Sequence, residues 1–532
     1  MNGPGEEVVD ERNRISRRDL IRFASMGAVM VGGGAALATS SPPSAWAASG
    51  SGPSGPPKRG GTLRVGVSGG GPSDTLDAQQ GVLASDFARI FSLFEPLVMN
   101  DLDARPAMIL AESMNSNANG TVWTVKLRPD VLFHNGKTLS AEDVIFSLNR
   151  VIKHQYEGFF ALAPIDAPNM KALDSLTVHI PMKKAYPDFI NFYCSLYQNL
   201  MIVPTGYNPK TPNGTGAFKY QSFTPGQAST FVRNASYWQE GLPYVDTLVI
   251  TDYPDENSQI NALLSSEVDG VNLLSASSVS RLQNGYRAVI AKTGCNTPFT
   301  MRVDQPPFND VRVRQAFRLL VDRPQMNNVV WGGLGTIAND IFDPSDPEYN
   351  HSLPQRVQDI PQAKSLLKAA GHENLTVTLV TSPIFAGCLS VAQVFASQAA
   401  AAGVTVNLNQ VTPTALFGSS YKKWTFAQDF WYETAYLPQV ATEFLPTGPY
   451  NETHWDNPHY FALYNEAFAT SNSSLRKEIV HEMQVIDYKD GSLIIPYFTA
   501  TIDGLANNVG GVKPGQVGYS FGNWSFHNMW LS

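Results

Sequence analysis

The chain has 532 residues, of which 43% are hydrophobic and 16% charged, with a formal net charge of −8. That length exceeds what one hydrophobic core accommodates, so two or three domains are expected. The acidic balance excludes nucleic acid as a partner, because no basic surface is left to neutralise phosphates.

The N-terminus carries the one basic cluster. "SRRDLIRF" (16–23) places Arg17 and Arg18 before an apolar, Gly/Ala-rich stretch (24–39) and then Ala45-Trp46-Ala47. A charged region, a modest apolar region and a small-x-small site in that order read as a signal peptide over 1–47. The stretch is too short and too weakly apolar to span a bilayer, which takes about 20 strongly apolar residues. The S-R-R-x-L-x-x-F arrangement resembles the twin-arginine signal. A disordered basic tail is the alternative. Five basic residues (Arg12, Arg14, Arg17, Arg18, Arg22) cancel five acidic ones (Glu6, Glu7, Asp10, Glu11, Asp19), so the rest of the chain keeps the charge of −8. No cysteine lies near the cleavage site, so release rather than lipid anchoring is expected, in a periplasmic or cell-envelope location. Residues 48–60 are Gly/Ser/Pro-rich and predict a flexible linker.

Beyond the linker the pattern mixes strands and helices. "GTLRVGV" (61–67) and "TVWTVKLR" (121–128) alternate as strands. "SAEDVIFSLNRVIK" (140–153) predicts a helix capped by Ser140 with Asp143 as its reciprocal partner. Asn135-Gly136 offers a type I′ turn. "SLTVHI" (175–180) and "TLVITDY" (247–253) predict strands, and "NSQINALLSSEVD" (257–269) a helix. Residues 310–331 predict two helices broken at Pro324. Helices over 359–372 and 389–403, both closed by glycine, flank a strand at 375–381 and precede one at 404–411. Such alternation indicates α/β lobes.

Few motifs carry reaction chemistry. Gly66-Val67-Ser68-Gly69-Gly70 matches G-x-S-x-G, but that motif requires a helix straight after the turn, and Pro72 stands there instead. No Gly-Lys-Ser/Thr follows the glycines, which argues against a phosphate cradle. His454 and His459 have poor metal-ligand spacing, with Asn457-Pro458 between them. Cys194, Cys295 and Cys388 are read as three buried thiols, with one disulfide as the alternative. No cofactor and no catalytic group is expected.

Six collinear blocks then carry a resemblance. "WTVKLRPDVLFHNGKTLSAEDVIFSLNR" (123–150), "GTGAFKYQSFTPG…RNASYW" (214–238), "SSEVDG" (265–270), "PPFNDVRVRQAFRLLVDR" (306–323), "PQAKSLLKAAG" (361–371) and "IIPYFTATIDG" (494–504) are similar to the family 5 extracellular solute-binding proteins, oligopeptide/dipeptide-binding type. The resemblance implies a monomeric receptor of an ABC importer with two-lobe periplasmic-binding-protein type II architecture. It implies lobe I over 58–98, 200–297 and 502–532, an extra inserted subdomain over 99–199, and lobe II over 298–501. The lobes would close on a ligand by a hinge at two crossings, near Pro298-Phe299 and Thr499–Asp503, and present it to the permease. A serine hydrolase using Ser68 is the alternative from another class.

The ligand is less legible. Peptide-binding members hold the peptide ammonium with an aspartate after a Gly-Trp pair, yet no acid occurs from Thr434 to Thr442. Residues 375–421 carry no charged side chain. Where the family pattern has a tryptophan, Thr412 stands. What remains is an aromatic wall of Phe385, Phe417, Trp424, Phe430, Trp431, Tyr432 and Tyr436, about half of it expected in the core. Such rings suit sugar faces or apolar solutes. Asp429 and Glu433 are the nearby acids that would keep a cationic or peptide ligand possible. The candidate ligand contacts carried over are Gln79, Gln80, Gly81, Val82, Tyr156, Phe159, Ile384, Phe385, Thr412, Trp424, Asp429, Trp431, Tyr432, Glu433, Tyr436 and Phe498. A peptide-like or other small organic solute is expected, with an oligosaccharide or glycoside as the alternative.

Overall fold

The computed structural model describes residues 52–53 and 55–532. The signal-peptide and twin-arginine readings of residues 1–47 concern residues outside that range. The end of the linker is held to the fold: the Arg59 guanidinium donates to Gly241 O at 2.6 Å and Gly60 N–H to Tyr244 O at 2.9 Å.

The alternation at the start of the folded region becomes the strand Thr62–Ser68, with Leu63, Val65 and Val67 fully buried. It runs parallel to Thr247–Tyr253 on one side and Gly270–Val271 on the other. These are central strands of an eight-stranded sheet. Its main path runs Tyr286–Asn296, Tyr497–Ala506, Gly270–Val271, Thr62–Ser68, Thr247–Tyr253, Ala228–Arg233, Phe218–Thr224, with Thr336–Ile337 added beside Tyr497–Ala506. Helix Ala84–Leu93 lays Phe87, Ile90 and Leu93 into the same core. On it the fully buried Arg89 meets Asp74 at 3.0 Å, Asp252 at 2.6 Å and Ser229 Oγ at 2.9 Å. A buried guanidinium without such partners would cost several kcal/mol, so this cluster fixes the helix on its sheet.

A second, five-stranded sheet has the order Thr405–Gln410, Thr376–Thr381, Phe426–Gln428, Phe299–Met301, Leu493–Ile494. Its core is aromatic: Phe299 meets Phe395 at 4.8 Å and Phe308 meets both Phe317 and Phe426 at 5.1 Å between ring centres. Arg314 and Arg318, one helical turn apart on Val311–Leu319, donate to backbone carbonyls at Phe308, Asp490, Asp487 and Leu493, tying that helix to the loop after Ser473–Asp490. A third, four-stranded antiparallel sheet (Ala111–Ser116, Val122–Leu127, Thr177–Pro181, Lys171–Asp174) is covered by helix Ala141–His154 through Val144, Leu148 and Val151. That helix starts as its sequence predicts. Ser140 N–H and Oγ donate to Asp143 Oδ2 at 3.0 and 2.8 Å, and Thr205 N–H donates to Asp143 Oδ1 at 2.8 Å.

The chain passes from the eight-stranded to the five-stranded sheet between Asn296 and Phe299, and returns between Ile494 and Tyr497. Thr499–Asp503, the expected second crossing, lies inside the strand Tyr497–Ala506.

Three local expectations are corrected. The helix predicted over 257–269 is Glu256–Leu264, since Ser266 takes a positive φ of 62° and Asp269 turns to pair with Arg64. The break within 310–331 falls between Leu319 and Arg323, and Pro324 opens the second helix behind the Asp322 cap. Proline fits there because the first-turn N–H has no intrahelical partner. At Asn135-Gly136 only the glycine has positive φ, 87°, which a type I′ turn would need at both residues. Cys194, Cys295 and Cys388 are buried free thiols. Among the described residues no helix is long and apolar enough to cross a membrane.

Candidate functional site

Three stretches distant in sequence enclose a cavity of about 660 Å³. The four-stranded unit contributes Glu157, Phe160, Tyr186, Phe192 and Tyr197; the segment after Phe426–Gln428 contributes Phe430 to Thr434 and Tyr450; Phe87 and Tyr519 form the third side. Helix Pro458–Ala469 adds Tyr464 and Phe468. Among the described residues twelve of the lining ones are aromatic and none is Asp or Arg, so dispersion and ring electrostatics outweigh formal charge along most of this wall.

The 430–434 segment is set by the first crossing. Trp431 and Asn296 exchange backbone hydrogen bonds at 2.9 and 3.0 Å. Two residues on, the buried Glu433 carboxylate accepts Gly294 N–H at 2.7 Å and Ser345 N–H at 2.8 Å. Position 294 has room for glycine only, since a Cβ would stand 2.2 Å from Glu433 Cδ. Burial pushes the Glu433 carboxyl up to about 7, against the pull of the hydrogen bonds from Ser345 and Gly294. Its two oxygens are therefore engaged in holding backbone.

The rings then connect the walls. Phe430 meets Tyr432 edge-on at 5.9 Å, and Tyr432 meets Tyr519 at 5.8 Å. Trp431 meets Tyr450 at 5.7 Å, and Tyr450 meets Phe160 at 6.3 Å. At the other side Tyr186 abuts Phe468 at 4.4 Å. The two lysines sit at the rim and are exposed. Lys183 Nζ donates to Ala163 O at 2.7 Å, and Lys184 Nζ lies 5.8 Å over the Phe468 ring.

Of the carried-over positions, Trp431, Tyr432 and Glu433 line this cavity, and so does Thr434, which opens the acid-free stretch 434–442. Tyr436 does not. Its ring is fully buried against Phe342 and its hydroxyl shares a 2.9 Å hydrogen bond with Tyr460. Ile384, Phe385 and Trp424 pack together with Phe417 in a small cluster that reaches the cavity through Phe430. Trp424 Nε1 donates to Leu416 O, and Thr412 caps the short helix Pro413–Leu416. Asp429 is fully buried beside Tyr421, whose hydroxyl lies 3.2 Å from Asp429 and 2.8 Å from Glu452. Gln79 donates to Ser147 O and Met201 O, Gln80 to Asp77, and Val82 N–H to Asp86. Gly81 allows close packing, since a Cβ would stand 2.5 Å from Ile90 Cδ1. Tyr156 lies under the Arg150 guanidinium, Phe159 packs beside Phe160, and Phe498 is buried in the eight-stranded sheet. None of these is among the lining residues.

The rings from Phe160 to Tyr197 and from Tyr450 to Tyr519 were not anticipated. Their one signal was density: "KKAYPDFINFYCSLYQ" (183–198) has five aromatics, too many for one short helix to bury alone.

Two rival chemistries lack their geometry. Ser68 ends a strand, and the next helix starts only at Ala84, so no nucleophile elbow forms. His454 faces Lys422 O while His459 faces Glu482, and no group of three or more potential ligands is poised for a metal among the described residues.

Residues 105–457, more than half the chain, match the model of the bacterial extracellular solute-binding proteins, family 5 (middle region). The chain belongs to this family. Family 5 proteins are the substrate-binding components of ABC importers, work in the periplasm or outside the cell, and are not enzymes; this solute-binding protein shares that role. It is 25% identical over 440 residues to the glutathione-binding protein GsiB of Pectobacterium atrosepticum, covering 78% of this chain and 83% of GsiB. Its fold matches that of AgaA in complex with agropinic acid, from A. tumefacien R10, with TM-score 0.73 and 24% identity over 89% of this chain and 99% of that one. It also matches Helicobacter pylori DppA in complex with the peptide STSA, with TM-score 0.74 and 20% identity over 89% and 98%. These matches place the chain in the mixed α/β architecture of periplasmic binding proteins.

Proposed function

We propose that this solute-binding protein captures a small organic solute, a short peptide derivative included, by stacking it in the aromatic cavity rather than by gripping charged peptide termini. The observation that carries this is the lining itself. Twelve aromatic residues surround about 660 Å³, and no acid occurs from Thr434 to Thr442, the stretch in which the family's ammonium-binding aspartate is expected. That volume is in the range of roughly 300–1,000 Å³ that holds drug-sized ligands. Relatives named for glutathione, heme and nickel differ too widely to assign the ligand by likeness.

In this reading the units around the three sheets act as two lobes, with the four-stranded unit inserted in the first. Closure about the strands at 294–299 and 494–497 brings Phe160 and Tyr519 against the 430–450 wall. The protein acts as a monomer, is exported by the twin-arginine-like signal, and hands its ligand to an ABC permease. Native mass spectrometry of protein purified from its own host tests the reading. A copurifying organic solute below about 1 kDa supports it, whereas a ligand of long polypeptide size overturns it.

A further inference from the structure

Two buried polar atoms belong to residues of the cavity wall and have nothing to bond. Tyr197 and Gln439 both line the cavity and are 1% and 2% exposed. Among the described residues no hydrogen-bond partner reaches Tyr197 Oη or Gln439 Oε1. Other lining side chains are satisfied within the protein. Ser195 Oγ donates to Phe192 O at 2.7 Å, Thr442 Oγ1 to Gln439 O at 3.0 Å and Asn465 Nδ2 to Phe461 O at 2.8 Å. Tyr193, four residues before Tyr197 and fully buried, donates to Leu200 O at 2.9 Å. Folded proteins seldom leave such groups unpaired, because each has lost its water without gaining a partner.

Two elements place the pair. Tyr197 opens the single-turn helix Tyr197–Asn199, its ring edge-on to Phe91 at 5.9 Å and to Tyr519 at 6.2 Å. Gln439 lies on helix Tyr436–Glu443, which also gives Pro438, Ala441 and Thr442 to the cavity wall. Its Nε2 donates to Glu443 Oε2 at 3.0 Å, so the amide is held with the oxygen as its spare end. That helix packs on Phe189–Ser195, the helix just before Tyr197, so the two walls meet. A hydroxyl hydrogen without an acceptor and a carbonyl oxygen without a donor complement a neutral group that carries both.

We propose that Tyr197 and Gln439 are specificity-determining residues that receive an uncharged amide of the ligand, Tyr197 Oη donating to its carbonyl and Gln439 Oε1 accepting its N–H. The inference rests on the aromatic cavity being the ligand site. It narrows the solute to one that buries an amide where these two walls meet.

The test compares N-methylbenzamide with methyl benzoate, which puts an ester oxygen in place of the N–H, by ligand-detected NMR on the mature protein. The amide is expected to bind roughly five- to a hundredfold more tightly, since the ester sets an acceptor against an acceptor. Tyr197→Phe should weaken amide binding roughly 3- to 10-fold without lowering the unfolding temperature, because the lost hydroxyl has no partner in the free protein. Gln439→Met combined with Glu443→Leu removes both ends of their hydrogen bond and should bring the amide-to-ester ratio close to one. Equal binding of the two probes, a preference that survives the double variant, unchanged affinity in Tyr197→Phe, or no binding of either probe at millimolar concentration overturns the proposal. If the ester binds as well as the amide and Tyr432→Ala abolishes both, the amide site falls and the aromatic cavity stands. If Tyr432→Ala leaves bound probe untouched, the cavity reading falls with it.

Discussion

The Arg476 guanidinium bridges Asp188 at 3.3 Å and Glu348 at 2.5 Å. Arg476 lies on helix Ser473–Asp490, and Asp188 directly precedes helix Phe189–Ser195 in the unit built on the four-stranded sheet. Next to this pair, Tyr186 and Phe192 pack on Phe468 at 4.4 and 5.6 Å. The contact therefore joins two walls of the cavity, the unit of the four-stranded sheet and the helix Pro458–Ala469. Burial pushes Asp188 up to about 7, with Arg476 and Asn191 pulling it down. Arg476→Ala should leave two buried carboxyls without their cation, which costs on the order of 3 kcal/mol when fully desolvated and less at this partly exposed side chain. Ligand affinity should fall, and small-angle scattering at saturating ligand should show a less compact particle. Unchanged affinity together with unchanged dimensions would sink the idea that this pair holds the closed form.

Tyr432 and Tyr436 separate recognition from stability. Trp431→Ala and Tyr432→Ala each remove a ring from the cavity and should weaken binding of the copurified ligand by roughly 1–3 kcal/mol. Tyr436→Phe removes the hydroxyl bonded to Tyr460 and should lower stability by about 1 kcal/mol while leaving affinity unchanged. Denaturant titration and calorimetry on the same samples check both halves. A binding defect in Tyr436→Phe would contradict the placement of its ring in the core.

Glu433 is expected to matter through backbone. In Glu433→Gln the amide NH₂ must face either Gly294 N–H, which keeps Gln516 O as a second acceptor at 3.3 Å, or Ser345 N–H, which loses its acceptor, so a loss of about 1–3 kcal/mol is expected. Gly294→Ala should be at least as damaging, because the new methyl meets the carboxyl directly. Both variants should unfold at lower temperature, and mild cooling should restore ligand binding. Full stability of Gly294→Ala would show that the strand at 286–296 shifts more easily than its packing implies.

Acidity should act with a definite sign. Burial raises Glu95, Asp188, Glu433, Asp487 and Asp503 to about 7, each against hydrogen bonds or charges that pull it down. A carboxyl raised in the folded state stabilises it when protonated, and that contribution is lost as pH rises through the folded value. His134 and His527, held down to about 4 by burial, work in the opposite direction, but only below their ordinary value of 6.5. Asp340 is also buried, yet Arg323, Arg356 and Arg318 outweigh that and hold it low, so it is silent here. Between about pH 8 and pH 6.5 the carboxyls alone respond, and the thermal midpoint should rise as the pH is lowered. A flat or falling midpoint over that window would refute the assignment of these acids as protonated on folding.

Replacing Arg17 and Arg18 by lysine should abolish export of the precursor, because twin-arginine routing depends on that pair whereas a general secretory signal tolerates lysine. Fractionation of cells expressing the double variant gives the answer. Normal export would point to the general route.

Sequence alone determined the elements with a strong local cause, the family, and one negative feature of the ligand site. Thr62–Ser68 and Thr247–Tyr253 follow from alternation and Ala141–His154 from its cap, because periodicity and capping are set by neighbours a few residues away. The absence of an acid from Thr434 to Thr442 is likewise a fact of the chain. What periodicity cannot report is which buried ring meets another ring and which faces a void, since both are equally apolar in sequence. Tyr432 and Tyr436 stand four residues apart in the same aromatic run. The first lies in extended chain pinned to the crossing and looks into the cavity; the second opens helix Tyr436–Glu443 and turns into the core. Phe160, Tyr197, Tyr450 and Tyr519 meet at one site only because the three sheets pack segments far apart in sequence around one cavity. Tertiary structure also decided the partners of the buried charges. Asp188 and Arg476, 288 positions apart, meet because the cost of burying each without the other selects the packing that joins them.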